Sequence, residues 1–310
     1  MSKTIICTAT DDGYAEMALE LIASIRDFPQ GREVAIGTID LGLGAEWRPR
    51  LAEASDAMPA GRWDIAFEES RVRGREWLIG RICKLFLPDY FPGFETYIWI
   101  DSDAWLCDWS AIDLLLKASA RGGLAVVPDD WETDRIKGSL TLLHRWLPPV
   151  FRTPSFKHGR RAGLPTGALR RLFRAKEFNG GVFALRGDAP HWPAIQANMR
   201  RLVSGRGRIF GSNQLALAMA VHLDELPAAV LPYEVNYTGW PMACAQSGRL
   251  VMPQLPHRPI GIMHLAGRDA QRADRSVEDD LATPDGGTLR RTIRYRPQDT
   301  AAAVAARAAA

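Results

Sequence analysis

The chain has little cysteine. Four are scattered over 310 residues, at Cys7, Cys83, Cys107 and Cys244, with no CxxC pair among them. That spacing excludes a clustered zinc site and a disulfide framework. Cys7 and Cys83 sit among apolar neighbours and read as small buried hydrophobes, which suits a reducing cytoplasm. Long apolar runs are missing too. No stretch approaches the roughly 20 residues that cross a bilayer. The apolar part of the N-terminal MSKTIICTATDD is too short for the core of a signal peptide, so none is expected. The expectation is a soluble cytoplasmic protein, or one peripheral to the inner face of a membrane. The net charge of +3 says little about partners on average. Acid is absent locally, however: residues 135–176 contain no Asp or Glu, while Lys and Arg recur between Trp146, Phe151, Phe156, Leu172 and Phe173. This segment is expected as a basic insertion or lid. It is read either as a solvated cover or as a surface for an anionic glycolipid acceptor or membrane. No nucleic-acid reading motif is present, so nucleic acid is not expected as a partner. No internal repeat is visible.

What is present is an α/β pattern. With 46% hydrophobic residues, the chain can bury a sizeable core. Thr4 to Ala9 reads as a strand, Tyr14 to Ile25 as an amphipathic helix and Val34 to Ile39 as a second strand, the opening of a parallel sheet. Glu76 to Leu87 reads as a helix closed by Pro88. Thr96 to Ile100 (TYIWI) is a strand, Asp113 to about Ala120 a helix and Gly123 to Val127 a strand. Glu177 to Leu185 (EFNGGVFAL) is a strand, and His191 to Leu202 a helix. Ser212 to Ala220 is a helix with Ser212 as its expected N-cap. Ala229 to Leu231 and Ile260 to His264 are short strands. Beyond Gly267 the pattern fades into an Ala-rich tail.

The strongest chemical signal is Asp101-Ser102-Asp103, delivered by TYIWI. The carboxyl edge of an open α/β sheet is where ligands bind. Two carboxylates one residue apart can share one hard divalent cation, and such an ion can neutralise a departing diphosphate. Asp11 could equally cap its loop, Arg81 and Lys84 could belong to a solvated helix face, and Asn179-Gly180-Gly181 could be a β-bulge.

Six stretches resemble a GT-A-fold glycosyltransferase of family 8, the retaining galactosyl- and glucosyltransferases that include glycogenin. In order they are IICTATDDGYAEMALELIASI, GRICKLFLPDYFPGFETYIWIDSDAWL, LAVVPDD, FNGGVFAL, SNQLALAMA and IMHLAG. The resemblance covers most of residues 4–267. It implies a mixed, mostly parallel sheet flanked by helices, with a GT-A domain over 1–267 and a partly disordered arm and tail over 268–310. It further implies that Ala9, Asp11 and Tyr14 surround the base and ribose of a nucleotide-sugar donor, a UDP-sugar. Arg81 or Lys84 would contact its sugar or diphosphate. His264 would be the third ligand, with Asp101 and Asp103, of a Mn²⁺ (or Mg²⁺) ion; imidazole suits a transition metal better than Ca²⁺. Asp129 or Asp130 would bind sugar hydroxyls, and Asn179, Gly180 and Gly181 the donor sugar or acceptor. Gly267 would belong to a phosphate loop. Asn213 and Gln214 would lie near the anomeric carbon, and a saccharide or glycolipid would be the acceptor.

The chain departs from the family at two places. Asn213 stands where the family has Asp, and Ala270 where it often has Lys, with Arg268 and Arg272 beside it as replacements. These departures are compatible with a second reading, a carbohydrate- or nucleotide-sugar-binding protein on a decayed transferase scaffold. A nucleotidyltransferase fits less well, because TATDDGY is acidic where such enzymes carry a basic glycine-rich loop. The clustered Arg290, Arg291, Arg294 and Arg296 are expected as a surface contact for a membrane or partner.

Overall fold

A computed structural model describes residues 3–129 and 154–308. Its centre is a six-stranded sheet built from β1 (Thr4–Thr10), β2 (Ala35–Asp40), β3 (Thr96–Ile100), β5 (Leu124–Pro128), β6 (Phe178–Arg186) and β7 (Ala228–Val230). The spatial order is β2-β1-β3-β6-β5-β7. The β1–β2, β1–β3 and β5–β7 pairs are parallel, while β6 runs antiparallel to both β3 and β5. The mixed, mostly parallel sheet that the resemblance implied is therefore present.

Buried on both faces, the central strands read as nearly continuous apolar runs. Their side chains alternate between two cores. Ile5, Cys7 and Trp99 enter one, packed under α3 (His191–Ser204) and α4 (Ser212–His222). Ile6, Ile98 and Ile100 enter the other, under α1 (Ala15–Arg26) and α2 (Ser110–Ser119). Cys7 and Cys83 are fully buried, as their neighbours suggested. No helix among the described residues is long and apolar enough to cross a membrane.

Three expectations need correcting. The segment 76–87 is not an α-helix but two 3₁₀ turns, Glu76–Arg81 and Cys83–Leu85, followed by the short helix Leu87–Tyr90. The amides of Leu78, Ile82 and Leu85 reach back three residues rather than four. Gly80 packs so closely on Leu41 that an added Cβ would lie 2.9 Å from a methyl carbon. Secondly, Gly211, at φ 80°, occupies the N-cap of α4. Ser212 is the first helical residue, and its hydroxyl bonds back to the Arg208 carbonyl. Thirdly, of the four arginines expected at the surface near the C-terminus, Arg290 is exposed, but two are not. Arg291 and Arg294 are almost fully buried. Arg294 donates to Glu20 at 2.8 Å and to Glu16 at 2.9 Å on α1, and Arg291 pairs with Asp299 at 2.7 Å. Arg296 also binds Asp299, and Arg290 pairs with Glu278. A buried charge is tolerated only when paired and hydrogen-bonded; the Arg294 pairs fasten residues 268–308 to α1, while the Asp299 and Glu278 pairs lie within that stretch. That stretch contains a hairpin (Asp279–Ala282 with Thr288–Arg291) and the helix Pro297–Ala308. Within the basic segment, Pro154–Arg161 and Thr166–Arg174 are helical. Residues 135–153, with Trp146 and Phe151, lie outside the described residues, as does Asp130.

Candidate metal and donor site

The site is set by how β3 ends. Trp99 and Asp101 share a face, and Trp99 Nε1–H donates to Asp101 Oδ1 at 2.6 Å. Lys84, brought in by the second 3₁₀ turn and fully buried, donates to the same oxygen at 2.7 Å and to the Gly180 carbonyl at 2.8 Å. Asp101 Oδ1 is thus occupied, while Oδ2 lies 3.6 Å from the half-exposed Arg81. Burial opposes the Asp101 charge, but Lys84 and Arg81 outweigh it and hold the carboxyl below its usual range. Lys84 is itself pushed down, burial outweighing its attraction to Asp101.

After Asp103 the chain forms β4 (Ala104–Leu106), antiparallel to β8 (Ile262–His264). The register pairs Ala104 with His264, and the Leu265 amide bonds the Asp103 carbonyl at 2.8 Å. Backbone pairing therefore brings an imidazole from far along the sequence to the acidic motif. His264 Nε2 lies 3.2 Å from Asp103 Oδ1, and Arg272 lies 3.2 Å from Asp103 Oδ2. One ligand atom from each of Asp101, Asp103 and His264 falls within 4.8 Å of the other two. The ring is oriented from behind: His264 Nδ1 is 2.9 Å from Asn236 Oδ1, so Nδ1–H donates to the amide oxygen and Nε2 points at the carboxylates. That partnership on the distal nitrogen is the usual support of a metal-ligating histidine. Without a cation, Nε2 must carry a proton to face Asp103. Burial works against the charged ring, but the charge of Asp103 and its hydrogen bond outweigh this, so His264 is held above its usual value. Asp103 is correspondingly held well below its own, burial being overcome by His264 and Arg272. Two hard oxygens and one imidazole nitrogen fit a divalent transition metal.

The glycines of β6 complete this packing. A Cβ on Gly181 would fall 2.3 Å from His264 Cε1, and one on Gly180 would fall 3.0 Å from both Asn213 Nδ2 and Gln214 Cγ. Asn179 is committed at both ends of its amide: it donates to Asp129 Oδ1 at 3.0 Å and accepts from the Gly181 amide at 2.7 Å. The β5–β6 register shifts here, from Val126–Phe183 to Val127–Asn179. The bulge considered for this strand is therefore present, with Asn179 tying it.

A cleft of about 460 Å³ opens onto the acidic motif. It is lined by the expected Ala9, Asp11, Tyr14, Arg81, Asp101 and Asp103, and by Arg272. Asp11 Oδ1 is buried without a hydrogen-bond partner. Of the arginines near Ala270, Arg272 enters the cleft, whereas Arg268 turns to the Trp240 ring at 4.6 Å; Ala270 itself is exposed. Lys84, Asp129, Asn179, Gly180, Gly181, Asn213, Gln214, His264 and Gly267 are not among the cleft's lining groups. Gly267 keeps an open position at φ 74°. The sequence reading missed Asn236, Trp77 and Phe210. The first is a lone amide in the turn Tyr233–Asn236, Trp77 sat inside the segment read as a helix, and Phe210 stood alone before α4, so none carried a signal for the site.

No protein-family model and no curated protein sequence matches the chain. Solved structures do. A galactosyltransferase, LgtC, in complex with donor and acceptor sugar analogs aligns over 97% of this chain and 95% of its own, at 13% identity and a TM-score of 0.52. The chain has the GT-A fold. WbbM, a bifunctional glycosyltransferase, aligns over 76% of this chain and 40% of its own, at 14% identity and a TM-score of 0.47. Mouse xyloside xylosyltransferase 1 aligns over 84% and 96%, at 10% identity and 0.45. Those two alignments are too loose to carry an argument. At such identities the likeness speaks for the GT-A architecture alone; the chemistry rests on the side chains just described.

Proposed function

We propose that this chain is a metal-dependent glycosyltransferase that moves a hexose from a nucleotide-sugar, a UDP-sugar, to a hydroxyl of a saccharide or glycolipid. One observation carries the reading: Asp101, Asp103 and a His264 oriented by Asn236 converge beside a cleft at the carboxyl edge of a GT-A sheet. Asp101, Asp103 and His264 would hold Mn²⁺ or Mg²⁺, which when bound would neutralise charge on the leaving diphosphate. Asp11, whose buried oxygen lacks a partner, suits a ribose or base donor, with Ala9 and Tyr14 beside it. Arg81 and Arg272 supply positive charge to the cleft for phosphates. Lys84 holds Asp101 and the Gly180 carbonyl in place rather than facing the cleft. Asn213 and Gln214 pack against Gly180 and would border the donor sugar. Asn213 offers no carboxylate nucleophile, which favours a retaining front-face transfer. There the leaving diphosphate takes the acceptor's proton, and fixed dipoles stabilise the oxocarbenium-like charge.

The test is to incubate the protein with UDP-sugars and Mn²⁺ and assay released UDP. Release that requires metal and disappears in Asp103→Ala supports the reading. Nucleotide-sugar binding without turnover, with or without an acceptor, refutes it in favour of a binding protein on the same scaffold, the reading that Asn213 and Ala270 allow.

A further inference from the structure

Two aromatic side chains line the cleft that the donor reading leaves unused, Trp77 from the first 3₁₀ turn and Phe210 just before α4. Both are large and apolar yet about half exposed, at 46% and 53%. Their centroids are 6.1 Å apart in an edge-to-face contact. The Arg81 guanidinium lies 5.1 Å over the Phe210 ring and 3.6 Å from Asp101 Oδ2, which ties the pair to the acidic motif. The indole N–H of Trp77 has no hydrogen-bond partner among the described residues. Gly80 and Leu41 continue the same lining without adding a polar side chain.

Exposed aromatics held in a cleft beside polar groups mark a binding surface. Here the surface offers apolar aromatic rings and one free N–H donor, with the Arg81 guanidinium turned to Phe210 and Asp101. A hexopyranose matches that set: its ring presents a patch of C–H groups on one face and hydroxyl acceptors around its rim. The nucleobase is assigned elsewhere in the cleft, to the Asp11 end, which leaves these two rings for the second sugar. We propose that Trp77 and Phe210 form a stacking platform for a hexopyranose ring of the acceptor, and so set acceptor specificity. The proposal rests on the glycosyltransferase reading of this cleft.

The experiment is saturation-transfer NMR with methyl β-D-galactopyranoside and methyl β-D-glucopyranoside, with UDP and Mn²⁺ present. Wild type is compared with Trp77→Ala, Phe210→Ala and the conservative Trp77→Phe, and calorimetry measures UDP·Mn²⁺ affinity on the same samples. The expected result is strong transfer to the C–H groups of one ring face in wild type. Saccharide Kd should rise about tenfold in each alanine variant, the scale of losing one stacked ring. Trp77→Phe should retain most of the binding, and UDP·Mn²⁺ affinity should stay within about twofold. No transfer to either glycoside in wild type, unchanged saccharide binding in the alanine variants, or a parallel loss of UDP affinity would overturn the proposal. The last outcome would assign the aromatics to the nucleotide. Failure of wild type to bind UDP·Mn²⁺ would instead break the donor-site reading, while the glycoside titration still reads the platform.

Discussion

Gly181→Ala puts a single methyl group against the heart of the candidate metal site. The added carbon would lie 2.3 Å from His264 Cε1, 2.9 Å from Nδ1 and 2.8 Å from Asn179 Oδ1. Carbon atoms pack at about 3.5–4.0 Å, so the imidazole must retreat by roughly 1 Å or more. Functional groups must hold their places to within about 0.5 Å. The ring cannot retreat that far and keep both the 2.9 Å bond to Asn236 and the 3.2 Å approach to Asp103. The expected costs are about 1–3 kcal/mol of stability from overpacking and a 10–100-fold loss of Mn²⁺ affinity, the usual effect of disturbing a ligand's support. Gly167→Ala is the matched control, since a Cβ there meets nothing within 4 Å. It sits in the helix Thr166–Arg174 and should stabilise by about 0.5–1 kcal/mol. Calorimetric titration of Mn²⁺, with urea unfolding of each protein, reads both effects. A folded Gly181→Ala protein that binds Mn²⁺ within twofold of wild type refutes the reasoning.

Asn236→Ala should lower Mn²⁺ affinity about 10–100-fold without touching a ligand atom, because the distal nitrogen of His264 loses its partner; the same titration checks it. In chelator, stability should fall as pH rises above about 6.5. The His264 value is raised in the fold, so its contribution is complete below the unfolded value and lost as pH climbs through the folded one. Melting curves with saturating Mn²⁺ should show the loss suppressed, the ion replacing the proton on Nε2. Lys84→Met should cost about 3–5 kcal/mol in urea unfolding of the metal-free protein, since it strands the Asp101 charge. Arg294→Ala should cost a similar amount by leaving Glu20 unpaired, and limited proteolysis should then cut first within residues 268–308.

What the sequence disclosed depended on whether local pattern or distant pairing set the geometry. TYIWI running into Asp101 and Asp103 was legible because a buried strand that ends in two acids is a local signal. The arrival of His264 beside Asp103 depended on the β4–β8 register, which resemblance implied and periodicity could not. The turns at 76–87 spaced their apolar residues as a helix would, and only the contact of Gly80 with Leu41 and the reach of Lys84 to Asp101 reveal the tighter winding. The burial of Arg294 was hidden because its partners, Glu16 and Glu20, stand at the other end of the chain. Asn236 was silent for the same reason: its role exists only once His264 is folded against it.

The account stands on one divalent ion shared by two carboxylates and an imidazole. Crystals soaked in Mn²⁺ and measured for anomalous scattering test this directly. The predicted result is a single strong peak in contact with Asp101, Asp103 and Nε2 of His264. No peak there, or a peak that contacts the carboxylates but not the imidazole, contradicts it.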